Sequence, residues 1–375
     1  MRGNAVMVVA GVLALLVGCA RPGTSASSGG SVASTPGAAA PAASPGAAAP
    51  ATAAETSPTP GELRKVRLAY GFVSTTDIPM WVADDQGIWQ KYGLSIDATL
   101  LQSSAQIAPA MAAGEVDVAL TAGAGVVDID LAGGEQKLIS SLQSEMSFFV
   151  HAQPDIHSVE DLRGKQIGIT RRGSGTNLAA DIVLDKAGLA AGPDVAIQEL
   201  GTVQSELSAL TSGQIAAVVL SAPTNFLAER QGYPLIARLS DYHVPYSQGA
   251  LAATRGTLTD RYELIRDFTK AFVEALGVAK RDPALAKRVL GANTQTTDQD
   301  LLDKSYALWL EELDPTLQPS LAAVQTVLDQ RADERPNAKT ANPKDFVDTR
   351  IIDELRASGF LSQQLGAEQP AAQAR

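Results

Sequence analysis

Between residues 64 and 238, short runs of β-branched and apolar residues alternate with segments in which apolar residues recur every three or four positions. The short runs predict strands at 66–70, 94–101, 116–120, 137–142, 166–169, 195–199, 215–220 and 235–238. The periodic segments predict helices at 78–91, 106–113, 126–132, 176–187, 205–210 and 225–231. This alternation is typical of an α/β fold with open, doubly wound and largely parallel sheets that are covered by helices on both faces.

The order of these units predicts that the chain crosses twice between two lobes. After the first set of units, residues 146–151 form a predicted crossing segment, and residues 246–254 form a predicted return strand. Beyond that strand the pattern is helical at 261–280, 283–290, 298–312, 320–331 and 344–357.

We therefore expect a hinged, two-lobed molecule with a helical C-terminal part. The first lobe comprises residues 62–145 with 251–362, the second comprises residues 146–250, and residues 363–375 form a disordered tail. Two hinge strands join the lobes, and the cleft between such lobes is the usual place for a small-molecule site.

The N-terminus has the layout of a secretory signal peptide at 1–18. Arg2 precedes the apolar stretch 5–17, which is shorter than the roughly 20 residues that a membrane-spanning helix needs. The sequence Leu16-Val17-Gly18-Cys19 resembles the lipobox of bacterial lipoproteins, in which the cysteine is lipidated and becomes the first mature residue. The alternatives are a buried structural cysteine and a chance cysteine in an ordinary signal peptide. We expect the protein to be exported and held on the extracytoplasmic side of a membrane by lipid on Cys19.

Composition separates a tether from the folded part and narrows the classes of partner. Residues 19–61 begin at Cys19 and consist largely of Ala, Pro, Gly, Ser and Thr, which predicts a disordered tether. The net charge of −11 at pH 7 disfavours nucleic acid as a partner. The chain has one cysteine and three scattered histidines, so we expect neither a disulfide nor a metal site.

Polar loops follow the predicted strands at the edge where ligands bind in open α/β sheets. The first-lobe candidates for ligand contact are Ser74, Thr75, Thr76, Ser104, Thr121, Ala122 and Gly123. The second-lobe candidates are Arg172, Gly173, Ser174, Gly175, Thr176, Ser221 and Pro223. Each hydroxyl could instead cap a helix. Their convergence on one edge favours a ligand site.

The loop Arg172-Gly173-Ser174-Gly175-Thr176 is the strongest of these elements. Its glycines allow close approach of the backbone, and the following helix would direct free N–H groups at a ligand. Arg171 and Arg172 could pair with a carboxylate, sulfonate or phosphate, or could be solvated turn residues. Trp81, near the start of a predicted helix, either forms a wall of the cleft or packs in the core.

The enzyme motifs that the chain could contain are absent or incomplete. The run from Gly123 has Asp128 where a dinucleotide-binding loop has its third glycine. The Gly173-Ser174-Gly175 sequence lacks the spacing of a nucleophile elbow, and no histidine is near it in the sequence. There is no Walker A loop and no His-Glu-x-x-His motif. We therefore expect a protein that is not an enzyme and needs no cofactor.

Residues 79–94, 110–120 and 161–169 closely resemble the nitrate/sulfonate/taurine-type substrate-binding proteins of ABC importers. That group includes binders of a thiamine-pyrimidine precursor, and the resemblance covers about residues 64–280. It implies a type II periplasmic-binding-protein fold that closes on a small molecule by hinge motion. It also implies ligand contacts from the loop after the first strand, from 121–123 and from 173–176, and an ABC permease as partner.

This sequence departs from the sulfonate and nitrate binders because Arg171 and Arg172 are the only cationic residues at the predicted edges. The ligand class therefore stays open between sulfonate, nitrate, carboxylate and pyrimidine. We expect a monomeric, lipid-anchored solute-binding protein of an ABC importer. The alternatives are a tethered sensor that reports ligand occupancy to a receptor, and a surface enzyme on the same fold, such as a dehydratase of the menaquinone-pathway type.

Overall fold

The computed structural model describes residues 62–101 and 103–366. The predicted signal peptide, the predicted lipidation site at Cys19, the predicted tether up to residue 61 and the end of the predicted tail lie outside these residues. Among the helices of the described part, none is long and apolar enough to span a bilayer.

Two five-stranded sheets form the framework, with neighbours in the orders β2-β1-β3-β10-β4 and β7-β6-β8-β5-β9. We call each sheet with its packed helices the first and the second lobe. The strands are β1 (Arg64–Tyr70), β2 (Leu94–Leu100), β3 (Val118–Thr121), β4 (Gln136–Glu145), β5 (Phe149–Ala152), β6 (Gln166–Ile169), β7 (Ala196–Glu199), β8 (Ala217–Leu220), β9 (Leu235–Arg238) and β10 (Pro245–Thr254).

Both sheets are mixed, but four of the five strands in each run in one direction, which confirms the expectation of largely parallel sheets. In the first sheet β1 runs parallel to β2 and β3, whereas β10 is antiparallel to β3 and β4. In the second sheet β6 runs parallel to β7 and β8, whereas β5 is antiparallel to β8 and β9. The physical reason is that β5 and β10 each enter their sheet from the other lobe, and so run against the βα units already there.

Fourteen α-helices lie in the described part of the chain. They are α1 (Ile78–Asp85), α2 (Ile88–Lys91), α3 (Ser104–Ala112), α4 (Gly123–Leu131), α5 (Gly175–Lys186), α6 (Val203–Thr211), α7 (Thr224–Arg230), α8 (Arg255–Asp260), α9 (Tyr262–Arg281), α10 (Pro283–Thr294), α11 (Gln299–Glu312), α12 (Leu321–Arg331), α13 (Arg350–Ala357) and α14 (Phe360–Leu365).

Several predicted helices differ from the structure in extent, and two of the differences have a clear local cause. The helix predicted at 78–91 is divided into α1 and α2 because Gly87 adopts a left-handed conformation, with φ of 63°. The helix predicted at 344–357 is a 3₁₀ turn, Pro343–Phe346, followed by α13. Between them Val347 forms a bridge to Leu138 of β4, and this extended pairing excludes a continuous helix.

The chain crosses between the lobes at 146–148 and at 239–244. The Gln248 carboxamide binds the crossing segment at both ends of Ser147, accepting from its N–H at 3.1 Å and donating to its carbonyl at 3.0 Å. Because β10 begins at Pro245, residues 245–250 pair in the first sheet and not in the second lobe to which they were assigned. At the other end, α14 extends three residues into the segment predicted as a tail.

The C-terminal helices pack on the first sheet and also reach the second lobe. Trp89 stacks on Phe268 of α9, with ring centroids 5.0 Å apart, in the core of the first lobe. Leu308 of α11 is buried against Phe149 and Ala222 of the second lobe. The relative position of the two sheets is therefore stabilised by side-chain packing as well as by the crossing strands.

Candidate ligand-binding cleft

Tyr246 lies where the N-termini of two helices from opposite lobes converge. The backbone N–H of Ala124, at the start of α4, donates to Tyr246 Oη at 3.4 Å. A β-carbon at Gly175, the first residue of α5, would lie 2.9 Å from Tyr246 Oη and 3.1 Å from the Phe148 ring. Phe148 lies in the first crossing and Tyr246 shortly after the second. Together they form the floor of the cleft between the starts of these two helices. Sequence reasoning missed both residues, although they are large aromatics in the predicted crossing segment 146–151 and at the start of the predicted return strand.

Four buried hydroxyls of the first lobe have no hydrogen-bond partner among the described residues. They belong to Ser103, Ser104, Thr121 and Ser247. Ser104 and Thr121 were predicted contacts, whereas Ser247 was missed because it lies inside a strand rather than in a loop. A buried hydroxyl without a partner costs about 1–3 kcal/mol. These four groups therefore retain unused hydrogen-bonding capacity in the interior of the first lobe.

Glycines at the start of α4 bring this helix close to the same hydroxyls. A β-carbon at Gly125 would lie 2.9 Å from Ser104 Cβ, and one at Gly123 would lie 3.3 Å from Ser247 Cβ. Thr121 ends β3, and Ala122 is the buried residue that precedes α4. The predicted segment 121–123 thus lies beside the unpartnered hydroxyls.

The hydroxyls of the second-lobe loop are occupied by bonds within the loop. Ser174 Oγ accepts from the N–H of Asn177 at 3.3 Å and so caps α5. Thr176 Oγ1 accepts from the N–H of Thr170 at 2.9 Å, and both hydroxyls are hydrogen-bonded to Thr170 Oγ1. Here the geometry shows helix capping and loop stabilisation. What this loop offers the cleft is the close backbone approach at Gly175.

Arg171 and Arg172, at the start of that loop, have different surroundings. The Arg172 side chain is 64% exposed, and its Nε lies 3.9 Å from the Glu199 carboxylate of the same lobe. Arg171 faces Gln106 in the first turn of α3, on the opposite lobe. When the oxygen and nitrogen of the Gln106 side-chain amide are exchanged, both atoms have hydrogen-bond partners. In this orientation Gln106 Oε1 accepts from Arg171 Nη2 at 3.0 Å and from Arg171 Nε at 3.1 Å. Arg171 therefore reaches across the cleft, whereas Arg172 points to solvent and Glu199.

The remaining predicted residues have mainly structural contacts. Ser74 caps the 3₁₀ turn Thr75–Asp77, accepting from the N–H of Thr76 at 3.3 Å. Thr76 lies against Gly249, where a β-carbon would be 2.9 Å from Thr76 Cβ, two residues beyond Ser247 on β10. Trp81 is buried in the core of the first lobe. Ser221 and Pro223 are both buried and immediately precede α7, at the cleft-facing edge of the second sheet.

Two buried carboxyls lie near the cleft-facing edges of the sheets. Burial raises the pKa of Asp77 to about 8, although the N–H of Ser74 donates to its carboxylate at 2.9 Å. Glu206, in the first turns of α6, has no partner for either oxygen within the described part, and burial raises its pKa well above the ordinary value. At neutral pH both environments therefore favour the uncharged carboxyl.

A recess of about 640 Å³ opens between the lobes, lined by residues of α3, α4, α5 and α12. Arg331, at the end of α12, donates from Nε to Asp128 of α4 at 2.9 Å. Its Nη1 lies 3.9 Å from Asp181 of α5, in the other lobe. Gly173 adopts φ of 75°, and a β-carbon there would lie 3.1 Å from Asp128 Oδ2. Sequence reasoning placed Arg172 and Gly173 at a ligand site but missed Arg331, because nothing in the local pattern links residue 331 to residue 128.

A family model described as "NMT1/THI5 like" matches residues 74–286. A protein of Brucella abortus that is named as a binding protein is 28% identical over 217 residues, 58% of this chain and 61% of that protein. The match therefore spans about three fifths of that relative's length. The riboflavin-binding protein RibY of Chloroflexus aurantiacus is 25% identical over 238 residues, 62% of this chain and 67% of that protein.

The fold has close counterparts among solved structures. The alkanesulfonate-binding protein SsuA from Xanthomonas axonopodis pv. citri, bound to MOPS, superposes with a TM-score of 0.66 at 18% identity. The superposition covers 77% of this chain and 99% of that one. The expected α/β periplasmic-binding-protein fold is therefore confirmed. Among the described residues, no group of three or more His, Cys, Asp or Glu side chains is placed to hold a metal ion.

Proposed function

The chain belongs to the NMT1/THI5-like family, and from this premise we propose that it is an extracytoplasmic solute-binding protein of an ABC importer. It captures a small organic or anionic molecule between its two lobes. It releases that molecule unchanged to a permease in the membrane.

The observation that carries this proposal is the set of four buried, unpartnered hydroxyls beside converging helix N-termini. Free N–H groups and the helix dipole favour oxygen atoms with negative or partial negative charge. Hydroxyls both donate and accept hydrogen bonds, so they can pair with the remaining donors and acceptors of a ligand. A ligand that binds Thr121 and Ser247 restores the hydrogen bonds that these buried groups lack.

The ligand class is a sulfonate, nitrate, carboxylate or pyrimidine. Helix N-termini on both lobes support a ligand that carries at least one acceptor oxygen. Arg171 is the arginine of the predicted loop that faces the opposite lobe, through Gln106, and it could neutralise a singly charged anion. The alkanesulfonate and riboflavin ligands of the two named relatives add a sulfonate and a flavin to the molecules worth testing.

Thermal unfolding of residues 61–375 with a panel of sulfonates, nitrate, carboxylates, pyrimidines and riboflavin tests the proposal. A cognate ligand in large excess over its Kd adds about 3–4 kcal/mol to the free energy of unfolding by mass action. Mass spectrometry of the ligand after denaturation of the complex should return its original mass, since a binder does not alter its cargo. A well-folded protein that none of these molecules stabilises, or a ligand recovered with a changed mass, would contradict the proposal.

A further inference from the structure

The recess between the lobes places two carboxylates from opposite lobes around one buried guanidinium. Arg331 is 5% exposed, and its Nε and Nη2 donate to Asp128 at 2.9 and 3.3 Å. This pair lies within the first lobe. Asp181, on α5 of the second lobe, approaches the same guanidinium at 3.9 Å. Since Arg331 already neutralises Asp128, Asp181 enters the cluster as an additional negative charge.

Arg331 is the cation that the structure places within 4 Å of the Asp181 carboxylate. Asn177, one turn earlier on α5, donates from Nδ2 to Asp181 at 3.0 Å. The negative charge of Glu334, just beyond α12, raises the pKa of Asp181. The positive charge of the exposed Arg172 lowers it. Asp128 and two residues that follow α12, Asp333 and Arg335, line the same recess, and Arg335 donates from Nη1 to the Asp128 carbonyl at 2.9 Å. The Asp181 side chain is 24% exposed, so water compensates only part of its charge.

We propose that closure of the cleft is coupled to the uptake of a proton by Asp181. This inference rests on the proposed function, because it describes how the closure that traps the ligand is regulated. Opening separates α5 from α12 and returns the Asp181 carboxylate to water. Closing brings it beside Asp128, Glu334 and an already neutralised Arg331, where the uncharged carboxyl is favoured.

The sign of the pH effect follows from the two states. In this structure, where Asp181 lies 3.9 Å from Arg331 of the other lobe, its pKa is raised to about 6, chiefly by burial and further by Glu334, against the opposing charge of Arg331; we take this as the closed arrangement. In the open arrangement hydration returns the pKa towards its ordinary value near 4. A group with the higher pKa in the closed state binds a proton on closing, so acidification favours closure. The ratio of closed to open molecules should rise about tenfold between pH 7 and pH 5.

The test is a distance measurement on the full chain without ligand, so it does not depend on the identity of the cargo. Cys19→Ser removes the only native cysteine. Ala113→Cys in the first lobe and Lys186→Cys in the second, both at exposed positions, then carry spin labels. The distance distribution between the labels should shift towards its closed component as the pH falls from 7 to 5. In Asp181→Asn the distance distribution should, at every pH, equal that of the protein with Asp181 at pH 5.

Two further variants identify the titrating group. Asp185→Asn, one turn further along α5 at an exposed position, is the matched control and should keep the wild-type response. Glu312 contacts the crossing at Ser147 and has a pKa raised by burial to about 7, so Glu312→Gln tests the hinge itself. A distribution that does not change with pH would overturn the inference. So would a response that survives in Asp181→Asn, particularly one that Glu312→Gln abolishes.

The outcomes of this experiment and of the ligand panel are separable. Loss of pH-dependent closure with a positive panel overturns the role of Asp181 and leaves solute binding in place. If closure depends on pH but no molecule of the ligand panel stabilises the protein, the coupling is supported and the proposed ligand classes are contradicted.

Discussion

At the scale of single residues, the chemical identity of a hydroxyl does not reveal its role. Ser174 and Thr176 follow a strand and Thr121 ends one, and all three are buried. Yet the first two are bonded to Thr170 and to backbone N–H groups, whereas Thr121 Oγ1 has no partner among the described residues. Sequence reasoning could place all three at the cleft-facing edge. It could not decide which hydroxyl is a cap, because that depends on distances of a few tenths of an ångström.

This difference predicts opposite effects of the same substitution at two positions. Thr121→Val removes an unpartnered hydroxyl and should raise the free energy of unfolding by about 1–3 kcal/mol. It should also weaken binding of the molecule that gives the largest shift in the panel by about tenfold, roughly one charge-assisted hydrogen bond.

Thr176→Val is the matched control, because it leaves the buried N–H of Thr170 unpaired and should lower the free energy of unfolding by about 1–3 kcal/mol. Chemical denaturation and calorimetric titration of both variants measure these changes. A Thr121→Val protein that is destabilised and binds as tightly as the wild type would mean that Thr121 does not contact the ligand.

At the scale of elements, most strands and helices were predicted at the right places, but β5, α8 and α14 were not predicted. The ends of the predicted elements were set by tertiary contacts. The strands at 166–169 and 235–238 agree with the structure at both ends. The helix predicted at 344–357 failed because Val347, after a 3₁₀ turn, is extended and pairs with Leu138. Apolar periodicity reports which face of an element is buried. It does not report a neighbouring strand that offers the backbone an alternative hydrogen bond.

The N-terminus of α5 depends on the absence of a side chain at Gly175. In an unconstrained helix, Gly→Ala is stabilising by about 1 kcal/mol. At Gly175 the added carbon would lie 2.9 Å from Tyr246 Oη, so the floor must shift and the lobes cannot approach as closely. Gly175→Ala should therefore lower the free energy of unfolding by about 1–3 kcal/mol and weaken ligand binding at least tenfold.

Gly256→Ala in α8 provides the comparison, since the nearest atom to its new carbon is Thr254 Oγ1 at 3.8 Å. It should raise the free energy of unfolding by up to about 1 kcal/mol and leave ligand binding unchanged. Parallel denaturation and titration of the two variants would contradict the close approach at Tyr246 if Gly175→Ala behaved like Gly256→Ala.

At the scale of the whole molecule, contacts between distant segments set the relation of the two lobes. Leu308 packs on Phe149, and Arg331 lies between Asp128 and Asp181. Both Leu308 and Arg331 come from C-terminal helices that pack on the first sheet. These helices therefore take part in holding the lobes together, which the sequence pattern alone did not indicate.

The predicted anchor is also a property of the whole molecule. If Cys19 is lipidated, the wild-type protein should partition into the membrane fraction and incorporate a labelled fatty acid. Cys19→Ser should lose the label and move to the soluble fraction, because the buried acyl carbons contribute about 0.8 kcal/mol per methylene to membrane binding. The melting temperature of the folded part should be equal in both proteins. Recovery of the unlabelled wild type in the soluble fraction would exclude the lipid anchor.

The sequence by itself determined the alternation of strands and helices, the α/β class, the two crossings and the sheet edge at which polar residues gather. These follow from local periodicity and from the rule that ligands bind beyond the carboxyl ends of strands. Only the tertiary structure decided that Tyr246 joins the starts of α4 and α5, that Trp81 packs in the core, and that Asp181 meets Arg331. Each of these depends on residues far apart in the chain, whose separation and orientation no local pattern encodes.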